Sequence, residues 1–204
     1  MILLPASVGF ARPSGAVVTY TTLNPADKSP NLSLSGGNLV ATGDAFSSGF
    51  VRSVHAITGK KYFEAVFTSQ VVGTATIAAG VAQSTANNAG SLGYSTGDAW
   101  AFWGQNTGAR HNGSTAIAGT STAGDVFGFA VDEPNGRLWI RQNGTWLGGG
   151  DPAAGTGAIW TNLTGTLYAA ACPWTGPTST VVTMRFDPAT FSHAAPSGFG
   201  PITA

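Results

Sequence analysis

The sequence predicts an all-β chain folded as a two-sheet antiparallel β-sandwich, and three observations carry that prediction. Apolar residues alternate with period two: Phe127, Phe129 and Val131 stand against Val126, Gly128 and Ala130. Phe63, Ala65 and Phe67 likewise alternate with Tyr62, Glu64 and Val66. Turn residues separate these runs, notably Pro134-Asn135-Gly136 and Asn143-Gly144, where Asn and Gly reach positive φ at little cost. No stretch shows helical periodicity, and glycine supplies 29 of 204 residues, about twice its usual share.

The elements follow in order. Residues 1–20 hold Ile2, Leu3, Leu4, Val8, Phe10, Val17 and Val18, broken by Pro5 and Pro13. A solvated tail is more polar than this, so the segment is expected either to wrap its own domain or to dock on a neighbouring chain, with docking favoured. Residues 21–204 form one domain, a normal size for a single all-β unit. Residues 21–30 read as a turn-rich loop around Pro25 and Pro30. Short strands are expected at 31–35 and 38–42, joined by Gly36-Gly37, then at 49–56, 61–69 and 76–82. A polar loop spans 83–97, an aromatic strand 99–104, and an Asn/Gly loop 105–115. Strands around 126–131 and 138–141 and a short third one make a meander within 124–151. A Gly/Pro/Ala loop at 148–157 precedes the last strands, 166–171 and 180–186. The tail 187–204 is punctuated by proline but carries Phe191 and Phe199.

Charge narrows the function classes. Only 9% of residues are charged, against about 25% in an average globular protein, and nine basic residues balance nine acidic ones. Nucleic acid and anionic membranes both need a basic patch, so neither is an expected partner. No apolar run approaches the roughly 20 residues of a membrane span, and Met1-Ile2-Leu3-Leu4-Pro5 lacks the basic start of a signal peptide. A surface this weakly charged fits contact with other protein, as in a large assembly, and fits equally a Thr/Ser/Gly-covered secreted domain. The lone Cys172 has no disulfide partner and, in Tyr168-Ala169-Ala170-Ala171-Cys172, reads as a small buried hydrophobe.

A set of ordered motifs resembles the SPRY domain family. These are Gly59-Lys60-Lys61-Tyr62-Phe63-Glu64, Ala79-Gly80-Val81-Ala82, Leu92-Gly93-Tyr94-Ser95 and the run from Gly124 to Asp132. Leu138-Trp139, Asn143-Gly144, Leu167-Tyr168-Ala169-Ala170, Phe186 and Pro196-Ser197-Gly198-Phe199 continue it. The resemblance covers about residues 20–200. It implies a concanavalin-like jelly roll of two packed antiparallel sheets whose loops grip a partner, and it implies a binding module, not an enzyme. The Gly-rich loop at 148–157 is similar to SPRY-like proteins of bacteriophages and their hosts. The zinc-binding and helical segments that precede SPRY in many eukaryotic ligases are missing, which puts ubiquitin-ligase and immune roles in doubt.

The resemblance thus implies a non-enzymatic bacteriophage virion surface protein: a decoration, tail or fibre component contacting other virion proteins, itself, or the host surface. A carbohydrate-binding, lectin-like module is the alternative, and a glycan-cleaving enzyme a remote one.

No catalytic residue, metal site or cofactor is expected. Asp132-Glu133 are adjacent at a strand end and point to opposite faces, unlike the paired acid and base of a glycosidase. His55, His111 and His193 lie apart from one another and from any ligand-spaced partner. Candidate contact residues come from loop tips: Trp103 with Asn106, Arg110 and His111, and Trp174 between Pro173 and Pro177. Trp flanked by Asn and Arg suits sugar stacking or a protein hot spot. Trp103 reads first as sandwich core, so Trp174 is the better contact candidate; Trp100, Trp139, Trp146 and Trp160 read as packing.

Overall fold

The computed structural model describes residues 17–43, 49–70, 77–94, 97–104, 107–174 and 179–204. Fourteen strands occur among them. They are β1 (Leu23–Lys28), β2 (Leu32–Ser35), β3 (Val40–Gly43), β4 (Val51–Ser53), β5 (Lys60–Ser69), β6 (Ala78–Gln83) and β7 (Ala99–Trp103). Then come β8 (Gly108–His111), β9 (Ser114–Ile117), β10 (Val126–Asp132), β11 (Arg137–Gln142), β12 (Thr145–Trp146), β13 (Leu167–Cys172) and β14 (Val181–Arg185). Sheet one runs β1-β4-β13-β6-β7-β8-β9 and sheet two runs β12-β11-β10-β5-β14-β3-β2. The predicted two-sheet antiparallel sandwich is the fold observed.

The alternation read from sequence is what builds the layer between the sheets. Phe63, Ala65 and Phe67 of β5 and Phe127, Phe129 and Val131 of β10 face inward, fully buried. They meet Trp100 and Phe102 of β7, with Phe102 stacked on Phe127 at 4.3 Å across the two sheets. Gly128 belongs to the opposite face of β10. A Cβ there would fall 2.2 Å from the Tyr62 hydroxyl, so only glycine lets that side chain cross.

Two segments depart from the sequence reading. Residues 23–28 form strand β1, not a loop; Pro25 is tolerated because β1 is an edge strand whose register against β4 shifts. Residues 108–117 are a hairpin, not a loop, turning at Asn112-Gly113 with both residues at positive φ, 48° and 75°. That is the same chemistry as Asn143-Gly144, at 48° and 89°, which joins β11 to β12. The strand read at 49–56 is shorter, Val51–Ser53. Helical structure among the described residues is confined to three 3-10 turns of three residues each, at Glu133–Asn135, Leu147–Gly149 and Pro188–Thr190. None is long and apolar enough to cross a membrane. Of the segment read at 1–20, residues 1–16 lie outside the described residues; Thr19–Thr21 bonds to the chain's other end, through Thr21 N to Ile202 O and Ala204 N to Thr19 O, both 3.0 Å.

Each sheet has its outer face covered, by different means. The tail at 187–204 lies over sheet two: Tyr62 N donates to Gly200 O at 2.8 Å, and Phe199 packs edge-on against Trp139. Beneath it Glu64 is completely buried. Its carboxylate accepts from the Tyr62 hydroxyl at 2.8 Å, Ser192 N at 2.7 Å and His193 N at 3.0 Å. The guanidinium groups of Arg141 and Arg185 lie 3.6 and 3.4 Å from it. Burial, with the Glu64 charge beside it, pushes the Tyr62 phenol well above its ordinary value. Arg141 also donates to His193 O and Ala194 O, so the tail is sewn down from both directions.

Candidate binding surface

Sheet one is covered by the loop at 84–94, and a buried arginine decides where that loop sits. Arg52 of β4 donates through Nη1 to Gln83 O at 2.8 Å and Ala86 O at 2.7 Å. Its other edge makes a two-point contact with Asp27 at 2.7 and 2.8 Å, and Asn88 adds a bond to the same carboxylate. The hydrogen bond from Arg52 holds the Asp27 carboxyl below the ordinary carboxylate range, against the opposing effect of burial. Leu92 and Ala86 of the loop then plug into a second apolar cluster with Phe50, Ala82, Trp103 and Cys172. Burial pushes the Cys172 thiol up to about 11, so this cysteine is a packing group and not a nucleophile.

Along this covered face the structure assembles a row of aromatic rings ending in a cation. Trp174 packs edge-on against Trp103 at 5.7 Å, and Tyr94 packs edge-on against the same indole at 5.4 Å. The Arg110 guanidinium carbon lies 4.1 Å from the centre of the Tyr94 ring, a close cation–π contact. Arg110 Nη2 donates to Gly113 O at 2.9 Å, tying the guanidinium to the hairpin turn. Tyr94 is 39% exposed and Trp174 and Arg110 are half-buried.

The residues singled out from sequence are therefore divided. Trp103 is no loop-tip contact: it ends β7, is 0% exposed, and donates its Nε1–H to Leu92 O at 2.7 Å. It is the spine on which Trp174 and Tyr94 rest. Arg110 and Trp174 are brought together through it. His111, next to Arg110 on β8, faces the other way, as neighbours on a strand must. It stacks flat on Trp100 at 4.7 Å and meets Trp160 edge-on at 6.5 Å. Its Nδ1 lies 3.0 Å from Ala99 O, an acceptor only, so the proton sits on Nδ1. Nε2 then accepts from Asn162 Nδ2, while Asn162 Oδ1 accepts from Trp100 Nε1 at 3.1 Å. His111 closes the end of the sandwich core. Asn106 lies outside the described residues.

Tyr94 is the residue that sequence reasoning passed over. It was visible in Leu92-Gly93-Tyr94, but nothing in the sequence says that the loop folds back to set its ring over β8. Several carboxylates, by contrast, are engaged in holding turns. Asp125 is partly buried, which would raise its carboxyl, yet bonds from Asn143, Thr122 N and Gln142 outweigh that and hold it low. Asp132 is buried, bonded to Asn135, with Lys60 at 3.5 Å; Glu133 accepts from Gly59 N. Among the described residues no three of His, Cys, Asp or Glu converge as a metal site.

Solved structures share this architecture. The SPRY domain of human HERC1 superposes with a TM-score of 0.66 at 14% identity, over 80% of this chain and 96% of that one. The TRIM65 PSpry domain gives 0.56 at 13% identity, over 82% and 90%. Stonustoxin gives 0.55 at 20% identity, over 81% of this chain and 27% of the toxin chain. No family model matches the sequence, and no curated protein matches it significantly. The chain has a SPRY-like fold.

Proposed function

We propose that this chain is a non-enzymatic binding module that takes a protein partner on the Tyr94–Arg110–Trp174 row. The observation that carries the reading is Tyr94. Four large hydrophobic side chains stand exposed among the described residues, Val17, Val18, Val54 and Tyr94, and only Tyr94 is aromatic. It is held rigidly between a buried indole and a guanidinium, so little side-chain entropy is lost when a partner covers it. Aromatic and arginine side chains of this kind dominate the energetics of protein interfaces. The likeness to SPRY domains, which are protein-interaction modules, supports a protein as the partner.

The setting we propose is a bacteriophage virion, with the chain as a decoration, tail or fibre component. The neutral, weakly charged composition and the Gly-rich loop at 148–157 support it. Mass spectrometry of purified particles tests this directly: the chain is expected among the virion proteins, and its absence would overturn the setting. Residues 1–20 are proposed as the segment that docks on a neighbouring virion protein. Deleting them is expected to abolish incorporation while the sandwich still folds.

A host-surface glycan is the second reading, favoured by the exposed Tyr94 ring beside Trp174. Purified chain mixed with host polysaccharide separates the two. Binding lost in Tyr94→Ala and Trp174→Ala favours the glycan, and no binding favours a protein. Release of reducing ends from the polysaccharide would overturn the non-enzymatic reading altogether.

A further inference from the structure

We propose that Asn112 is a self-modifying position: it deamidates through attack by the Gly113 backbone nitrogen, and the carboxylate formed lies beside Arg110. The reaction needs an asparagine amide free to rotate, a following residue without a Cβ to obstruct ring closure, and a main-chain N–H not engaged elsewhere. The chain holds three Asn-Gly pairs, Asn112-Gly113, Asn135-Gly136 and Asn143-Gly144. Their surroundings separate them. Asn135 donates through Nδ2 to both oxygens of Asp132, at 3.0 and 2.9 Å, and the Gly136 N–H is already given to Glu133 O at 3.0 Å. Gly136 is buried against the Leu163 backbone. Asn143 is held at both ends of its amide: Oδ1 accepts from Val126 N at 2.9 Å, and Nδ2 donates to Asp125 Oδ1 at 2.8 Å. The His193 ring stands over Gly144, 3.0 Å from where a Cβ would lie.

Asn112 has none of these restraints. Among the described residues its side chain makes no hydrogen bond, and both it and Gly113 are exposed. A Cβ at Gly113 would meet nothing nearer than Tyr94 O at 4.0 Å, so the attacking nitrogen stands in open space. The turn also joins the weakest part of sheet one. β9 is a four-residue edge strand, bulged against β8, with Ser114, Thr115 and Ala116 exposed. A hairpin closed by so few interior contacts opens more readily than the central ladders, and opening supplies the rotation that ring closure needs.

A base removes the Gly113 amide proton, and the nitrogen attacks Asn112 Cγ. The Cγ–Nδ2 bond breaks, Nδ2 leaves as ammonia, and a succinimide ring closes. Water then opens the ring at one of its two carbonyls, giving aspartate or, with the main chain rerouted through Cβ, isoaspartate. One water is consumed and one ammonia released. Either product adds a negative charge two residues from Arg110, whose Nη2 is bonded to Gly113 O at 2.9 Å. The new carboxylate competes with the Tyr94 ring for the guanidinium, because a charge-assisted hydrogen bond is stronger than an exposed cation–π contact. The modification itself does not depend on what the Tyr94–Arg110 row binds.

The full chain, aged in mildly alkaline buffer and then digested with pepsin in acid, tests the proposal by tandem mass spectrometry of the three Asn-Gly peptides. Conversion of amide to carboxylate is expected at Asn112 on the order of tenfold faster than at Asn135 or Asn143, since each of those must first break two hydrogen bonds. In denaturant the three rates are expected to converge. Asp125→Ala, which frees one end of the Asn143 amide, is expected to speed conversion of Asn143 and leave that of Asn112 unchanged. Magnetic resonance signals of Arg110 and Tyr94 are expected to shift as Asn112 converts. Conversion of Asn112 no faster than that of Asn143 in the folded chain would overturn the proposal. So would a preference for Asn112 that persists in denaturant, or Arg110 and Tyr94 signals that stay in place in the converted chain.

Discussion

The outer faces of the two sheets are covered by the same kind of chain, an irregular segment, yet they are held in opposite ways. Over sheet two the tail at 187–204 is fastened to a fully buried carboxylate, Glu64, by two of its own backbone N–H groups, and Arg141 returns two bonds to its carbonyls. The polar groups of that clasp are turned inward, onto Glu64 and Arg141. Over sheet one the loop at 84–94 is fastened by Arg52, whose carboxylate partner Asp27 is a third exposed, and its far end leaves Tyr94 in solvent. A buried network specifies one structure and offers nothing to a partner. A loop anchored at its base and carrying an exposed ring at its tip offers a rigid contact. The surface proposed for a partner thus lies on sheet one, and the buried polar clasp on sheet two.

Substitution at the two anchors exposes the contrast most strongly. Glu64→Ala strands Arg141 and Arg185 beside an apolar interior and leaves the N–H groups of Ser192 and His193 unpaired. The expected loss is about 3–5 kcal/mol, read from the denaturant midpoint, with the tail and the core melting together. A loss below about 1 kcal/mol would mean that the clasp is not the main support of that face. Arg52→Ala is expected to cost less, about 2–3 kcal/mol for the Ala86 carbonyl left without its Arg52 donor and the Asp27 carboxylate left without its partner, while Gln83 O keeps the Ala86 N–H. Its signature is local: faster amide exchange in 84–94, with β10 and β11 unchanged.

At the tip, Tyr94→Ala is expected to cost about 1 kcal/mol, the value of its ring and cation contacts, and to abolish partner binding. Equal losses of stability at Glu64 and Tyr94 would erase the distinction between the faces. The smallest effect is on pH dependence. The folded Asp27 carboxyl titrates below its unfolded value because Arg52 hydrogen-bonds its charged form. Its contribution is thus fully present above the unfolded pKa, about 3.9, and is lost as pH falls through the lower folded value. The acid limb of stability against pH is expected to be shallower in Asp27→Asn than in the wild type.

Several of these features could be read before any fold was known. The inward sets Phe63/Ala65/Phe67 and Phe127/Phe129/Val131 follow from period-two alternation, because a half-buried strand must sort its side chains by face. The hairpin at Asn143-Gly144 follows from the positive φ that those residues accept. The same signal stood at Asn112-Gly113, but the residues around it, Gly108-Ala109-Arg110-His111 and Ser114-Thr115-Ala116-Ile117, alternate too weakly to announce strands. β1 was hidden for a different reason: its proline is forbidden inside a sheet and allowed only at an edge, and edge position is not a local property.

Local chemistry thus determined the strand-rich character, most of the turns, the core-facing residues and the packing role of Cys172. Tertiary structure decided the rest. Arg110 and His111 are adjacent in sequence, yet one lies over Tyr94 outside sheet one and the other stacks on Trp100 at the end of the core. Trp174, Trp103, Tyr94 and Arg110 span 81 positions (174 − 94 + 1) and become one row only because β13, β6, β7 and β8 are neighbours in the sheet. Alternation says which side of a strand a residue faces. Which strands stand side by side is set by packing the whole chain, and that is what makes separate residues into a surface.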